Sequence, residues 1–296
     1  MNKLYTNKLA IFLFLLPALI LIIGIIVLPI FMSAYYSLQD WDGITKMKFV
    51  GLENYITLFN DKAIDFPKAL WNAVKFALAS VFIQLPLSLL IALVLARKRW
   101  GSKAFLSIYF IPVLLSTVVI GQMWLKIYNP EYGILNVALR AIGLESWTRM
   151  WLGDLKNPTL VLVSCFVPIL WQYTGYHMLL MYAGINSVPI EMQEAALIDG
   201  ATEWQINTRI IIPLLKPVLR VCIIISVTGS LKVFDLIYVL TGGGPVHASE
   251  VPSTLLYNIM FLRNDYGTGS AIAILLIALC FLFAIIIRKA IRTEAD

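Results

Sequence analysis

Long apolar runs dominate this chain, and shorter polar stretches separate them. Each run is close to the ~20 residues that an α-helix needs to cross the hydrocarbon core of a bilayer. Six runs meet this length, at residues 9–36, 71–96, 104–128, 159–185, 218–241 and 268–287. The pattern predicts an all-α integral membrane protein with six transmembrane helices.

Composition agrees with a membrane protein and argues against other classes. Apolar residues make up 60% and charged residues 14% of the 296 residues, whereas soluble domains have roughly 45–50% and 25%. Run 9–36 is too long for a signal peptide and lacks a small-residue cleavage site, so we expect a retained span. Basic residues beside the spans account for the net charge of +6, since they bind anionic lipid, and no nucleic-acid partner is expected.

The distribution of Lys and Arg predicts the orientation. Six spans place both ends of a chain on one side of the membrane, and basic residues are enriched on the cytoplasmic side. The segments 1–8, 97–103, 186–220 and 288–296 are richer in Lys and Arg than the opposite loops, and 97–103 alone holds Arg97, Lys98, Arg99 and Lys103. We therefore expect both termini, and the segment between the fourth and fifth runs, to be cytoplasmic.

The segment between the fourth and fifth runs has the local signals of two short helices with a break between them. Ser187 and Pro189 are typical of a helix start. Gly200 can adopt the left-handed conformation that ends a helix. Thr202 and Gln205 have the T-x-x-Q spacing of a capping box, which begins another helix. Alanines keep the surface shallow, so the segment is predicted to be a docking surface.

The sequence E-A-A-L-I-D-G-A at residues 194–201, followed by a proline, resembles the EAA loop of permease subunits in binding-protein-dependent ABC importers. In that family the loop contains a cytoplasmic coupling helix that fits a cleft on the ATPase subunit. The resemblance implies a type I importer permease fold, with the coupling loop at 186–217; an ordinary interhelical loop is the alternative. The predicted coupling residues are Glu191, Glu194, Ala195, Ala196, Asp199, Gly200, Ala201 and Pro213.

Two further segments resemble carbohydrate-type members of this family, the maltose, multiple-sugar and glycerol-phosphate permeases. Residues 51–55 read G-L-E-N-Y after the first run, and residues 240–245 read L-T-G-G-G-P after the fifth, preceded by Phe234 and Asp235. The first segment could equally be a turn with an interfacial aromatic anchor. The second could equally be a turn that any membrane helix needs at its end.

The resemblance also implies a larger complex. The chain has no G-x-x-x-x-G-K-[ST] phosphate loop, so it is expected to be a transport subunit and not an enzyme. The implied partners are a second homologous permease, two ATPase subunits that bind ATP and Mg, and an extracytoplasmic solute-binding protein. The implied location is a prokaryotic cytoplasmic membrane, with the first helix and its outer loop at 1–67 and a five-helix core at 68–290. Whether the permease pair is a heterodimer or a homodimer stays open.

Polar groups inside a bilayer are costly, so they are candidates for the substrate pathway. The candidates in this chain are Gln84, Gln122, Gln172, Tyr173, Tyr176, His177, Lys232 and Asp235. Aromatic rings, amides and hydroxyls suit a sugar, whereas contacts between helices are the alternative role. Lys232 and Asp235 are three residues apart, so on one helix face they would neutralise each other or contact substrate.

We therefore predict import of a sugar or oligosaccharide, delivered by a binding protein and moved by alternating access. One alternative substrate is glycerol phosphate or a related polyol ester. Another class, an ATP-independent secondary transporter or channel, would need paired broken helices in two related halves, and no internal repeat is evident. No metal site is predicted, because the two histidines are isolated and the three cysteines, which lie within spans, lack metal-ligand spacing.

Between Ile134 and Ile142, apolar residues at helical spacing predict a short amphipathic helix ended by Gly143.

Overall fold

The computed structural model describes residues 8–97 and 101–291. Lys98 and Arg99, together with both ends of the chain, carry part of the predicted charge bias and lie outside the described residues.

The described chain is almost entirely helical. Its α-helices are α1 (Lys8–Ile22), α2 (Leu28–Tyr36), α3 (Glu53–Asn60), α4 (Phe66–Ala79), α5 (Leu85–Ala96), α6 (Ser102–Leu114), α7 (Thr117–Ile127), α8 (Ile134–Ala141), α9 (Pro158–Asn186), α10 (Ile190–Ile198), α11 (Glu203–Ile206), α12 (Ile212–Leu214), α13 (Lys216–Leu231), α14 (Asp235–Thr241), α15 (Pro252–Tyr257) and α16 (Tyr266–Ala290). π-Helical turns cover Ile23–Val27, Ser80–Gln84, Asn207–Ile211 and Asn258–Leu262, a 3₁₀ turn covers Glu145–Trp147, and β1 (Gln39–Asp40) pairs antiparallel with β2 (Lys48–Phe49).

The predicted number of spans, six, is confirmed. Four helices are long and apolar enough to cross a bilayer, at Ile11–Tyr36, Phe66–Ala96, Pro158–Asn186 and Tyr266–Ala290. Two bent pairs, Ala104–Leu114 with Thr117–Ile127 and Glu203–Leu214 with Lys216–Leu231, raise the number to six when each pair is one span.

The third apolar run is not the continuous helix that its hydropathy indicates. α6 ends at Leu114, and Leu115 has an extended backbone. The chain bends by 95° between α6 and α7. Pro112 lies in the last turn of α6, where its ring and missing N–H weaken continuation of the helix.

The fifth run is also interrupted, so the prediction that Lys232 and Asp235 share one helix face is wrong. α13 ends at Leu231, and α14 begins only at Asp235. The hydroxyls of Thr228 and Ser230 donate to the carbonyls of Ile224 and Ser226 within the last turns of α13. Hydrogen bonds from Ser and Thr hydroxyls to backbone carbonyls of the same helix often bend it. Gly229, which lies between these two residues, has a lower helix propensity than either of them.

Three π-helical turns have a common cause in the sequence. Pro29, Pro86 and Pro213 each follow such a turn, and in each case the residue four positions earlier lies inside it. A proline ring clashes with the carbonyl four residues before it in a regular α-helix. The wider turn removes that clash, so these long apolar helices continue through their prolines.

The chain divides into two compact units, one formed by residues up to Ile64 with Leu256–Ile277, the other by Asp65–Leu255 with the residues from Ala278 onward. In the smaller unit, Asn54 donates to the carbonyls of Ser37 and Gln39 at 2.9 and 2.8 Å. Tyr55 donates from its hydroxyl to Ser37 Oγ at 2.8 Å. The G-L-E-N-Y segment thus closes the loop that follows α2. The predicted division at residues 67 and 68 stays a prediction.

The larger unit has two apolar clusters. One lies around Phe76, Leu162, Phe166, Leu236 and Ile237, and the other around Leu93, Met181, Ile185, Ile206 and Leu215. Gly175 lets α9 approach α6 closely, because a Cβ there would overlap the Tyr109 carbonyl oxygen. α9 is therefore held against both α5 and α6, and it forms the centre of the unit.

The predicted amphipathic helix is confirmed as α8, and Gly143 follows it with φ +78°. The buried Asn136 organises the loop around this helix. Its amide donates to the carbonyls of Pro130 and Arg149 at 3.1 and 3.0 Å, and its oxygen accepts from Trp151 Nε1 at 2.9 Å.

The Gly-Gly-Gly-Pro run ends α14, as predicted, with Gly242 at φ +59°. A buried carboxylate that the sequence did not single out fills the space beside it. A Cβ at Gly243 would lie 2.5 Å from Glu250 Oε2, while Thr254 Oγ1 donates to Glu250 Oε1 at 2.5 Å. The glycine is needed because the carboxylate occupies the place of a side chain.

Candidate functional site

The EAA segment, residues 190–213, begins with α10, whose end is fixed by backbone hydrogen bonds. The N–H of Ala201 donates to the Ala196 carbonyl at 2.9 Å, and the N–H of Gly200 donates to the Leu197 carbonyl at 3.0 Å. This pair of bonds is a Schellman motif, which requires a left-handed residue after the helix. Gly200 has φ +79°, so the predicted stop is confirmed.

The second helix of the EAA segment begins with the predicted capping box. Gln205 N donates to Thr202 Oγ1 at 3.4 Å, and Thr202 N donates to Gln205 Oε1 at 2.7 Å. Pro189 directly precedes α10, as predicted. The prediction that Ser187 helps to start this helix is wrong, because the Ser187 hydroxyl donates to the Gly184 carbonyl at the end of α9.

The EAA segment presents an unusually open surface. None of the side chains of α10 is buried. Ile198 is 87% exposed and Trp204 is 69% exposed. Contiguous exposed apolar residues mark interaction sites. Of the predicted residues, the exposed ones are Glu191, Glu194, Ala195, Asp199, Gly200 and Pro213, and the half-buried ones are Ala196 and Ala201.

An ion pair that the sequence did not indicate lies beside this segment. Arg97 Nη1 is 2.5 Å from Glu203 Oε2. In the sequence Arg97 counted only toward the basic charge of its loop, and no pattern links two residues so far apart in the chain.

The larger unit also contains a cavity of about 470 Å³ between α4, the α6–α7 bend, α9, and the break between α13 and α14. Six of the eight predicted pathway residues line it: Gln84, Tyr173, Tyr176, His177, Lys232 and Asp235. The break between α13 and α14 places Lys232 and Phe234 in this wall, and Val113 and Thr117 line it on either side of the bend at Leu115.

The other two predicted pathway residues lie elsewhere. Gln122 is exposed on α7, and Gln172 is buried in α9; neither lines the cavity. Hydroxyl residues that the sequence did not single out line it instead, among them Ser80, Ser226 and Ser230. The spacing of Ser226 and Ser230, four residues apart on one helix face, was the available signal.

Several polar groups in the cavity have no partner among the described residues. His177 Nδ1 and Ser226 Oγ are buried and make no hydrogen bond. Lys232 and Asp235 form no ion pair within the described residues. Ser80 Oγ, in contrast, donates to Gln84 Oε1. A buried polar atom without a partner is costly, so this wall is suited to a solute that supplies hydroxyl groups.

The wall of the cavity offers groups that can bind a polar solute. Its wall brings together rings, hydroxyls, an amide and two opposite charges. Among residues 8–97 and 101–291, no group of three or more His, Cys, Asp or Glu side chains is placed to hold a metal ion.

Comparison with known proteins agrees with this geometry. The family described as "Binding-protein-dependent transport system inner membrane component" matches residues 84–292. The probable ABC transporter permease protein YurN of Bacillus subtilis is 39% identical over 98% of both chains. The trehalose/maltose transport system permease protein MalF of Thermococcus litoralis is 36% identical over 96% of this chain and 94% of its own.

A solved structure has the same fold. A chain of the bacterial alginate ABC transporter, crystallised in complex with an alginate pentasaccharide-bound periplasmic protein, superposes with a TM-score of 0.84 at 22% identity, covering 99% of each chain. The fold, the EAA segment and the family match lead to one conclusion: this chain belongs to the inner-membrane permeases of binding-protein-dependent ABC transport systems.

Proposed function

We propose that this permease carries a sugar or oligosaccharide across the membrane by alternating access. The observation that carries the proposal is the cavity at the break between α13 and α14. Its volume of about 470 Å³ lies in the range of ~300–1,000 Å³ that small-molecule sites have.

The chemistry of the cavity wall favours a carbohydrate. Tyr173, Tyr176 and Phe234 offer rings on which the apolar face of a sugar can stack. Sugar hydroxyls can both donate and accept, so they can satisfy His177 Nδ1 and Ser226 Oγ. The trehalose/maltose permease and the alginate transporter, by their names, handle carbohydrates.

An anionic substrate such as glycerol phosphate or a related polyol ester is the second candidate. Lys232 lines the cavity without an ion-pair partner among the described residues. Asp235 lines the same cavity and would repel an anion, so the neutral sugar is favoured. An ATP-independent secondary transporter or channel is not retained, because the family depends on a binding protein.

The EAA segment is proposed to dock on an ATPase subunit on the cytoplasmic side, where both termini of the chain also lie. Its support is the exposed surface of α10 together with the basic loop at 97–103. The exposed carboxylates of Glu194 and Asp199 then contribute contacts and local shape, not chemistry.

The working complex is proposed to contain a second homologous permease, two ATPase subunits that bind ATP and Mg, and an extracytoplasmic binding protein. Closure of the ATPase pair would move the EAA segment, and rigid-body rocking of the spans would switch access between the two sides. α9 runs from the cavity wall at Tyr176 to Asn186, and α10 begins at Ile190, so a short stretch of chain joins the two sites.

The test is purification in mild detergent through a tag placed after Asp296, followed by mass spectrometry of the chains that co-purify. We expect an ATPase, a second six-span permease and a binding protein. Reconstituted into proteoliposomes, the complex should take up the sugar that its binding protein holds only when ATP is present. Uptake without ATP, or recovery of the chain alone, would overturn the proposal, and uptake of glycerol phosphate in place of sugars would select the second candidate.

A further inference from the structure

One polar contact joins the EAA segment to α5, and none of the predicted coupling residues takes part in it. Arg97, directly after α5, and Glu203, the first residue of α11, are 2.5 Å apart between Nη1 and Oε2. We propose that this ion pair is a positioning contact that carries movement of the EAA segment into α5 during transport. This role rests on the proposed function, because it requires that the segment be moved by an ATPase.

Within the EAA segment, α10 has little support from packing, whereas α11 is anchored by the buried Ile206. α10 buries no side chain. A cavity of about 250 Å³ separates it from the end of α5, with Leu93 on one side and Leu197 on the other. Arg97 and Glu203 both line this cavity. The ion pair therefore borders this cavity and connects α5 to α11, whose Ile206 shares an apolar cluster with Leu93 of α5.

The positions of the two charges on their helices favour the pair. Arg97 occupies the C-terminal end of α5, and Glu203 lies in the first turn of α11. A cation at a helix C-terminus and an acid at a helix N-terminus each interact favourably with the helix dipole. Arginine also forms the stronger, charge-assisted hydrogen bonds. Both charges therefore interact favourably with their own helix ends as well as with each other.

Beyond Arg97, α5 leads to the cavity that we assign to the substrate. Ser88 Oγ of α5 donates to the Thr174 carbonyl of α9 at 3.0 Å. Gln84, immediately before α5, lines that cavity, and so do Tyr173 and Tyr176 beside Thr174. The ion pair and α5 therefore connect the EAA segment to the cavity wall. This connection is separate from the segment of chain that links α9 to α10.

The ion pair is partly exposed, with 34% of the Arg97 side chain and 67% of the Glu203 side chain accessible. Exposed ion pairs contribute little to stability. Breaking this pair should leave the protein inserted and assembled, and its effect should be seen in the coupling of ATP hydrolysis to transport.

The experiment is a charge exchange in the complete reconstituted complex. Arg97→Glu and Glu203→Arg should each lower the ratio of substrate-stimulated to basal ATPase activity about two- to fivefold. The double variant restores the opposite charges, so it should recover at least half of the lost stimulation. Glu203→Gln gives the same readout should a charge-reversed variant fail to assemble.

Lys289→Glu is the matched control, because Lys289 lies outside the coupling loop. It is exposed in the last turn of α16 and forms no ion pair within the described residues. If Arg97 only anchors the protein to anionic lipid, Arg97→Glu and Lys289→Glu will behave alike, and the double exchange will rescue nothing. That result, or full stimulation in both single variants, would overturn the positioning role. Absence of stimulation in the unaltered complex would overturn the proposed function itself.

Discussion

The EAA segment and the substrate cavity are built in opposite ways. The EAA segment is one stretch of chain whose shape comes from local backbone bonds, with the Schellman motif at Gly200 and the capping box at Thr202. The cavity is assembled from several helices that are distant in sequence, and helix breaks near Leu115 and at Lys232 border it. One site depends on the conformation of a few residues, the other on how helices pack.

This difference predicts different sensitivities. A change of backbone conformation in the EAA segment should abolish coupling while the protein stays folded. A change of side-chain volume around the cavity should first affect folding, because protein interiors have little spare space. The following variants, from the largest expected effect to the smallest, separate the two cases.

Gly200→Pro should abolish substrate-stimulated ATPase activity while leaving the protein in the membrane. Proline is fixed near φ −65°, whereas Gly200 has φ +79°, so the Schellman motif is lost and α11 is redirected. The measurement is ATPase activity of the reconstituted complex with and without loaded binding protein. Gly143→Pro is the control, since Gly143 has φ +78° after α8, outside the EAA segment. Equal loss in both variants would argue against a special role for the EAA segment.

Gly175→Ala should lower stability by about 1–3 kcal/mol. The added Cβ would overlap the Tyr109 carbonyl oxygen and force α9 away from α6. Thermal unfolding of the purified complex measures the change. Gly229→Ala is the matched variant, because a Cβ at Gly229 meets no atom within 4 Å; equal destabilisation of both would show that α9 and α6 are not closely packed there.

Ser226→Ala and Ser88→Ala should have opposite effects. Ser226 Oγ has no partner among the described residues, so its removal should not lower stability and should raise the KM for sugar uptake several-fold. Ser88 Oγ donates to the Gln84 and Thr174 carbonyls, so its removal should cost about 1 kcal/mol of stability and leave KM unchanged. A loss of stability in Ser226→Ala with unchanged KM would remove Ser226 from the substrate pathway.

Thr202→Ala should reduce stimulated ATPase activity only partly. Loss of an N-cap hydroxyl costs about 1 kcal/mol, and α11 keeps its buried Ile206, so the segment should loosen without changing its path. Thr208→Ala serves as the comparison, because the Thr208 hydroxyl donates to the Trp204 carbonyl inside the helix and caps nothing. Should both variants behave alike, the capping box would not contribute to coupling.

The sequence predicted those features that depend on neighbours in the chain. Gly200, Gly242 and Gly143 were predicted to end helices, and each has a positive φ. Thr202 and Gln205 were predicted to form a capping box, and they do. Six apolar runs predicted six spans because the length of a span is fixed by bilayer thickness.

The errors arose where hydropathy was used in place of geometry. Runs 104–128 and 218–241 are apolar throughout, and mean hydropathy does not register the extended residue at Leu115 or the break after Leu231. The assumed helix face of Lys232 and Asp235 followed from the second error. Gln172 was grouped with Tyr173 and Tyr176 by proximity in sequence, although it does not line the cavity with them.

By itself, the sequence determined the membrane class, the six spans and the local conformation of the EAA segment, because bilayer thickness and backbone capping act over a few residues. Only the tertiary structure decided that Gln84, His177, Ser226 and Lys232 share one cavity, and that Arg97 meets Glu203. These contacts depend on how α5, α9 and α13 pack, which is set by side-chain volumes and by glycines such as Gly175 along whole helices. No short pattern in the chain records that packing.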